Sequence, residues 1–267
     1  MKKTILFILI IVLQNMLYAQ DGNYTEVNGV KLYYETYGSG EPLVLLHNYM
    51  GTHNDWDQWR DSLAQHYYLI IPDLRGHGKS SVPKENHRIK YLAEDIYALL
   101  DEMKINKFKA MGMSGGAMAL IHMATKDTSR IEAMVVISGT SYFDKQYRDM
   151  VKNWSYEIAP DEWKERMRKK HSEEQIKWMA NQWNFIATTY NDMNFTSPFL
   201  SQIKCPTLII HGDRDPYFNV NIALEMYNAI PDAYLWIFPN GRHDPNYLPL
   251  WSDQFLRVTK LFLSEKL

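Results

Sequence analysis

The chain has 267 residues, 46% of them hydrophobic and 22% charged, which is material for a large globular core and not for a disordered or fibrous chain. The formal charge of -2 is close to neutral, so a nucleic-acid partner finds no support in the electrostatics. A single cysteine, Cys205, excludes an intrachain disulfide framework, and no Cys/His cluster has zinc-site spacing, so no metal is expected.

In chain order, Lys2 and Lys3 precede an unbroken apolar run, Ile5–Leu13, and a polar stretch ending at Tyr18-Ala19-Gln20. This layout predicts a secretory signal peptide over residues 1–20, cleaved near Ala19 or Gln20. The apolar run is too short to span a bilayer and no later run approaches that length, so no membrane span is expected in the exported chain. Asn28-Gly29 between Tyr24–Val27 and Val30–Tyr37 predicts a hairpin with a two-residue turn. Short, non-alternating apolar runs follow at Leu43–Leu46, Tyr68–Ile71, Phe108–Met111, Met134–Ile137, Leu208–Ile210 and Tyr234–Phe238, as strands buried on both faces of a parallel sheet require. Helical patterns lie between them at Tyr91–Met103, Ala117–Ala124, Val220–Ile230 and Leu250–Leu263. Strand–helix alternation predicts a doubly wound α/β fold. Residues 141–197 break it: they carry no strand signal, are rich in charge and aromatics (Trp154, Trp163, Trp178, Trp183), and read as a helical insertion.

Gly112-Met113-Ser114-Gly115-Gly116 fits G-x-S-x-G, after an apolar strand and before a helical stretch. That context is a nucleophile elbow, where small residues allow a tight turn and the hydroxyl stands at a helix N-terminus. There the N–H of Gly115 is placed to receive a developing oxyanion. A serine hydroxyl needs a base. Downstream, a strand-end loop carries Asp213 and Asp215, and a later one carries His243, in the order Ser, Asp, His. Gly78-Lys79-Ser80 is not a phosphate-binding loop, because position 73 is Asp where that motif needs Gly. His47, His77 and His122 read as structural histidines, and Cys205 as a small buried hydrophobe at a strand start.

Five stretches together carry a resemblance. Leu45-Leu46-His47, Asp73–Ser80 (the D-x-R-G-x-G-x-S pattern), Gly112–Ala117, Gly212–Asp215 and Gly241–His243 resemble the α/β-hydrolase superfamily, in the branch with a helical cap after the sixth strand. The resemblance implies a mostly parallel eight-stranded sheet with helices on both faces, a core over residues 21–140 and 198–267, and a cap over residues 141–197. By position it implies Ser114 as nucleophile, Asp215 ahead of Asp213 as the acid, His243 as base, and Tyr49 as the second oxyanion N–H beside Gly115. Two departures mark the pocket. Asn48 stands where the family has glycine, in a turn that calls for positive φ, and Arg242 precedes His243 where glycine is frequent. Haloalkane dehalogenases and epoxide hydrolases of this superfamily have aspartate at the elbow, which position 114 does not. The expected activity is cofactor-free cleavage of a small or medium ester-like molecule, a carboxylic ester or lactone. C–C bond hydrolysis, perhydrolysis and non-catalytic ligand binding are the other readings.

Overall fold

The computed structural model describes residues 21–266, so the predicted leader lies outside the described residues. The chain builds an eight-stranded sheet in the order β1-β2-β4-β3-β5-β6-β7-β8: β1 (Asp21–Val27), β2 (Val30–Tyr37), β3 (Glu41–Leu46), β4 (Tyr67–Pro72), β5 (Phe108–Met113), β6 (Ile131–Ile137), β7 (Thr207–Gly212) and β8 (Ala233–Phe238). The β1–β2 hairpin and the β2–β4 pair are antiparallel, and all other pairings are parallel. Asn28 and Gly29 both take positive φ, 46° and 77°, and Val27 faces Val30, so the hairpin turn is the one the dipeptide predicts.

Every residue of β5 and β7 is buried, which explains runs that are apolar without alternation. On β3, Val44 and Leu46 enter one apolar cluster while Leu43 and Leu45 enter another on the opposite face. The first cluster is closed by α2 (Ile89–Glu102), α3 (Gly115–Lys126) and α8 (Val220–Ala229). The second is closed by α1 (Asp57–Ala64) and α9 (Ser252–Leu263), through Trp59, Leu63, Phe255 and Phe262. The sheet is therefore the middle layer of three.

Between β6 and β7 the chain leaves the sheet for four helices: α4 (Lys145–Val151), α5 (Asp161–Arg168), α6 (Glu173–Thr188) and the single turn α7 (Ser197–Leu200). α6 begins with a capping box in which Ser172 and Gln175 satisfy each other's backbone N–H groups. Met167, Ile176 and Met179 of this insertion bury themselves against Tyr49 and Met50, the loop after β3. The insertion thus sits over the ends of the parallel strands where the α/β fold places its loops.

Candidate active site

β5 delivers Ser114. Its N–H donates to the Ile137 carbonyl of β6 at 2.8 Å, and the chain then turns so abruptly into α3 that Ser114 sits at φ 48°, ψ -108°. Only small neighbours allow this turn. A Cβ on Gly112 would lie 2.6 Å from the Gly116 carbonyl carbon, and one on Gly116 would lie 2.5 Å from the Leu46 carbonyl oxygen. Ser114 is 7% exposed, with its hydroxyl at the start of α3.

β7 and β8 deliver the partners. His243 Nε2 lies 2.9 Å from Ser114 Oγ, and its Nδ1 lies 2.8 Å from Asp215 Oδ2. A carboxylate only accepts, so Nδ1 carries the hydrogen and Nε2 is left to accept from the serine hydroxyl. Asp215 Oδ1 accepts the N–H groups of Tyr217 (2.8 Å) and Phe218 (3.2 Å). Burial alone would raise the Asp215 carboxyl, but the hydrogen bond and charge of His243, with the Tyr217 N–H, outweigh it and hold the group below the ordinary carboxylate range. Asp213 is turned elsewhere: its Oδ1 accepts the Gly241 N–H at 3.1 Å and braces the loop that carries His243. Tyr217 and Phe218 stand edge-on to the His243 ring, with centroids 4.8 and 5.5 Å away.

Opposite the serine, one peptide plane is fixed from behind. The Leu74 N–H donates to His47 Nε2 (2.9 Å), so His47 Nδ1 carries the hydrogen, which it donates to the Asn48 carbonyl at 2.7 Å. The Gly51 N–H donates to the same carbonyl at 3.0 Å. In a trans peptide the N–H points opposite to the C=O. With the Asn48 carbonyl held by His47 and Gly51, the Tyr49 N–H therefore faces away from them. Gly115 lies close by: a Cβ built on it would be 3.2 Å from the Tyr49 nitrogen. The structure thus brings Ser114, Asp215, His243, Gly115 and Tyr49 into one place.

Asn48 is not among the residues with positive φ; Met50 is, at 67°, in the third position of the turn closed by Gly51. Asn48 Oδ1 folds back over its own turn, 2.6 Å from where a Cβ of Gly51 would be. Asparagine substitutes for glycine here because the left-handed residue lies two positions later. Arg242 is exposed, and among the described residues its guanidinium has no hydrogen-bond or ionic partner.

The remaining histidines are mostly structural. His77 donates from Nδ1 to the Arg75 carbonyl (2.8 Å) within a loop anchored by the bidentate Arg75–Asp95 pair, both bonds 2.6 Å. His122, half-buried rather than packed in the core, lies 3.3 Å from Asp192. Cys205 is buried, and burial pushes its thiol up to about 11. Two further histidines lie beside the site. His211 donates from Nε2 to the Phe218 carbonyl (2.9 Å), with that nitrogen 3.5 Å from Asp215 Oδ2. His171 bonds to Met50 and Gly78. The family motif includes His211 only as the residue before Gly212, and no local pattern marks His171. Among the described residues no three His, Cys, Asp or Glu side chains are grouped to hold a metal ion, and no helix is long and apolar enough to cross a membrane.

Comparison with known proteins agrees with this architecture. The human serine hydrolase BPHL is 26% identical over 250 residues, covering 89% of this chain and 84% of that protein. The pimeloyl-[acyl-carrier protein] methyl ester esterase of Nitrosospira multiformis is 26% identical over 251 residues, covering 81% and 92%. Among solved structures, a meta-cleavage product hydrolase of Pseudomonas fluorescens superposes with a TM-score of 0.77 at 20% identity, over 91% of this chain and 98% of that one. The relatives are hydrolases, and residues 41–175 match the family model described as the alpha/beta hydrolase fold: this chain belongs to the α/β-hydrolase fold family.

Proposed function

We propose that the chain is an exported serine hydrolase that cleaves a carboxylic ester or lactone of small to medium size through an acyl-enzyme on Ser114. The observation that carries this reading is the chain of hydrogen bonds Ser114–His243–Asp215, 2.9 and 2.8 Å long, at an elbow whose Gly115 packs against the Tyr49 nitrogen. His243 takes the Ser114 proton as Oγ attacks the acyl carbon. Asp215 holds the imidazole in the required tautomer and stabilises its cation. The N–H groups of Tyr49 and Gly115 bind the oxyanion, each worth about 3 kcal/mol in the transition state. His243 then protonates the leaving alkoxide, and water, deprotonated by the same nitrogen, releases the acid and restores the serine. Residues 141–197 act as a cap that limits substrate size. The leader at residues 1–20 supports export, and secretion with loss of that leader is tested by N-terminal sequencing of the exported protein.

Ser114→Ala is the direct test. It removes the nucleophile from a folded chain, and turnover of a short-chain p-nitrophenyl ester falls to background. Retained turnover in a folded variant defeats the assignment. A panel of esters, lactones and vinylogous diketones of graded size separates ester cleavage from C–C bond cleavage.

A further inference from the structure

Tyr49 can serve an oxyanion only while its loop keeps its shape, and that shape is strained. Met50 holds φ 67° in the turn, a left-handed conformation that a residue with a Cβ avoids by roughly 1–2 kcal/mol. The turn closes on the Asn48 carbonyl and leaves the Met50 carbonyl free for another donor. That donor comes from the helical insertion. His171, in the link between α5 and α6 and 6% exposed, has Nε2 3.0 Å from the Met50 oxygen. The Gly78 N–H points at the other nitrogen, Nδ1, at 3.0 Å. A backbone N–H can only donate and a carbonyl can only accept, so the tautomer is determined: Nδ1 is bare and Nε2 carries the hydrogen.

The grip around this ring is broader. Gln175, in the first turn of α6, donates to the carbonyls of Gly78 (3.0 Å) and Ser80 (2.8 Å), and Lys170 pairs with Asp55 at 2.8 Å. Gln175 and Lys170 reach the flanking segments; His171 alone of the three reaches the turn that holds Tyr49. Burial lowers the basicity of the His171 ring, which keeps it in the neutral form that both bonds need.

We propose that His171 is a positioning residue for the oxyanion loop: by holding the Met50 carbonyl, the helical insertion fixes the turn that aims the Tyr49 N–H at Ser114. This rests on the serine-hydrolase reading above. Without the bond, the Met50–Gly51 peptide is free to rotate and its N–H to leave the Asn48 carbonyl, which loosens the peptide plane that carries the Tyr49 N–H. The N–H then points away while the rest of the pocket stays in place. The loss falls on kcat and spares KM, because the charge on the oxygen exists only in the transition state.

Two substitutions divide the ring between them. In His171→Gln the amide nitrogen reaches as far as Nε2 and donates to Met50. In His171→Asn the shorter amide oxygen reaches as far as Nδ1, accepts from Gly78, and leaves Met50 without a donor. Three quantities are measured: kcat and KM for an ester, and the second-order rate constant of Ser114 labelling by a fluorophosphonate, which needs no natural substrate. Thermal unfolding is followed in parallel. Removal of an oxyanion donor lowers kcat by about 100- to 1,000-fold, and its displacement is expected to give about 10- to 100-fold in His171→Asn, with KM within about twofold. His171→Gln recovers at least about a third of the wild-type rate, and Gln175→Ala, which leaves Met50 untouched, keeps its kcat. Equal rates in the Gln and Asn variants, with equal unfolding temperatures, overturn the role of His171 and leave the hydrolase reading intact. A folded wild-type protein whose Ser114 takes no label and turns over no ester overturns the hydrolase reading, and this role with it.

Discussion

Replacing Asp215 by Asn, beside Asp213→Asn, separates the two acids of one loop. The wild-type contacts dictate what each amide does. Two backbone N–H groups, of Tyr217 and Phe218, point at Asp215 Oδ1, so the oxygen of an asparagine is retained there and its NH2 is turned toward His243. An NH2 can only donate, and His243 Nδ1 must then be bare to meet it. The hydrogen moves to Nε2, which now donates to Ser114 instead of accepting from it. The general base is lost without any change in size, a tautomer error associated with about a 10⁴-fold fall in kcat. At 1.36 kcal/mol per tenfold, that is about 5 kcal/mol of transition-state stabilisation. Asp213→Asn keeps an oxygen for the Gly241 N–H and is expected to stay within about threefold of wild type, since a neutral acceptor can replace a charged one at a single bond. The assay is kcat/KM for a short-chain p-nitrophenyl ester, with circular dichroism to establish folding. An Asp215→Asn enzyme within tenfold of wild type, or an Asp213→Asn enzyme that falls as far, refutes the assignment of Asp215.

Two predictions concern stability. Burial lowers the basicity of His47, His77, His171 and His211, and pushes His87 down to about 4. Because the unfolded chain protonates these rings near pH 6.5 and the folded chain resists, stability is full above that pH and declines below it, each ring adding about 1.4 kcal/mol per pH unit until its folded pKa is reached. Urea unfolding between pH 8 and pH 5 measures the slope, and His87→Phe lowers it by one ring's share; an unchanged slope contradicts the neutral burial of His87. Gly116→Ala places a methyl 2.5 Å from the Leu46 carbonyl and 2.7 Å from that of His47, backbone atoms that cannot step aside alone. Overpacking of this kind is worth about 1–3 kcal/mol, and a differential scanning calorimetry midpoint unchanged from wild type argues against the close approach of α3 to β3.

The elements with uniform burial were plain in the sequence. Phe108–Met111 and Leu208–Ile210 read as buried strands because both faces of the sheet are covered, and the strands extend only slightly beyond those runs. Ser114 and its approach were legible because the elbow is local: strand, small residues and helix lie within a dozen positions. The loop opposite was not. Position 48 does not need positive φ because the turn closed by Gly51 places its left-handed residue at Met50, and the Asn48 carbonyl is held by a His47 ring whose tautomer Leu74 sets from 27 residues away. His171 was invisible for the same reason. Its partners, Met50 and Gly78, are joined to it only by the way the insertion folds over the sheet, and a lone histidine among lysines and glutamates carries no signature of that.

The backbone angles of Ser114 bear on the history of the chain as well as its chemistry. A residue with a side chain, held at φ 48° and ψ -108°, is a standing burden of the order of 1–3 kcal/mol. Glycine would sit there at ease, without the hydroxyl. Sequence drift governed by folding alone would therefore run downhill from serine to glycine at position 114. The serine found there is not the residue that backbone geometry alone would choose.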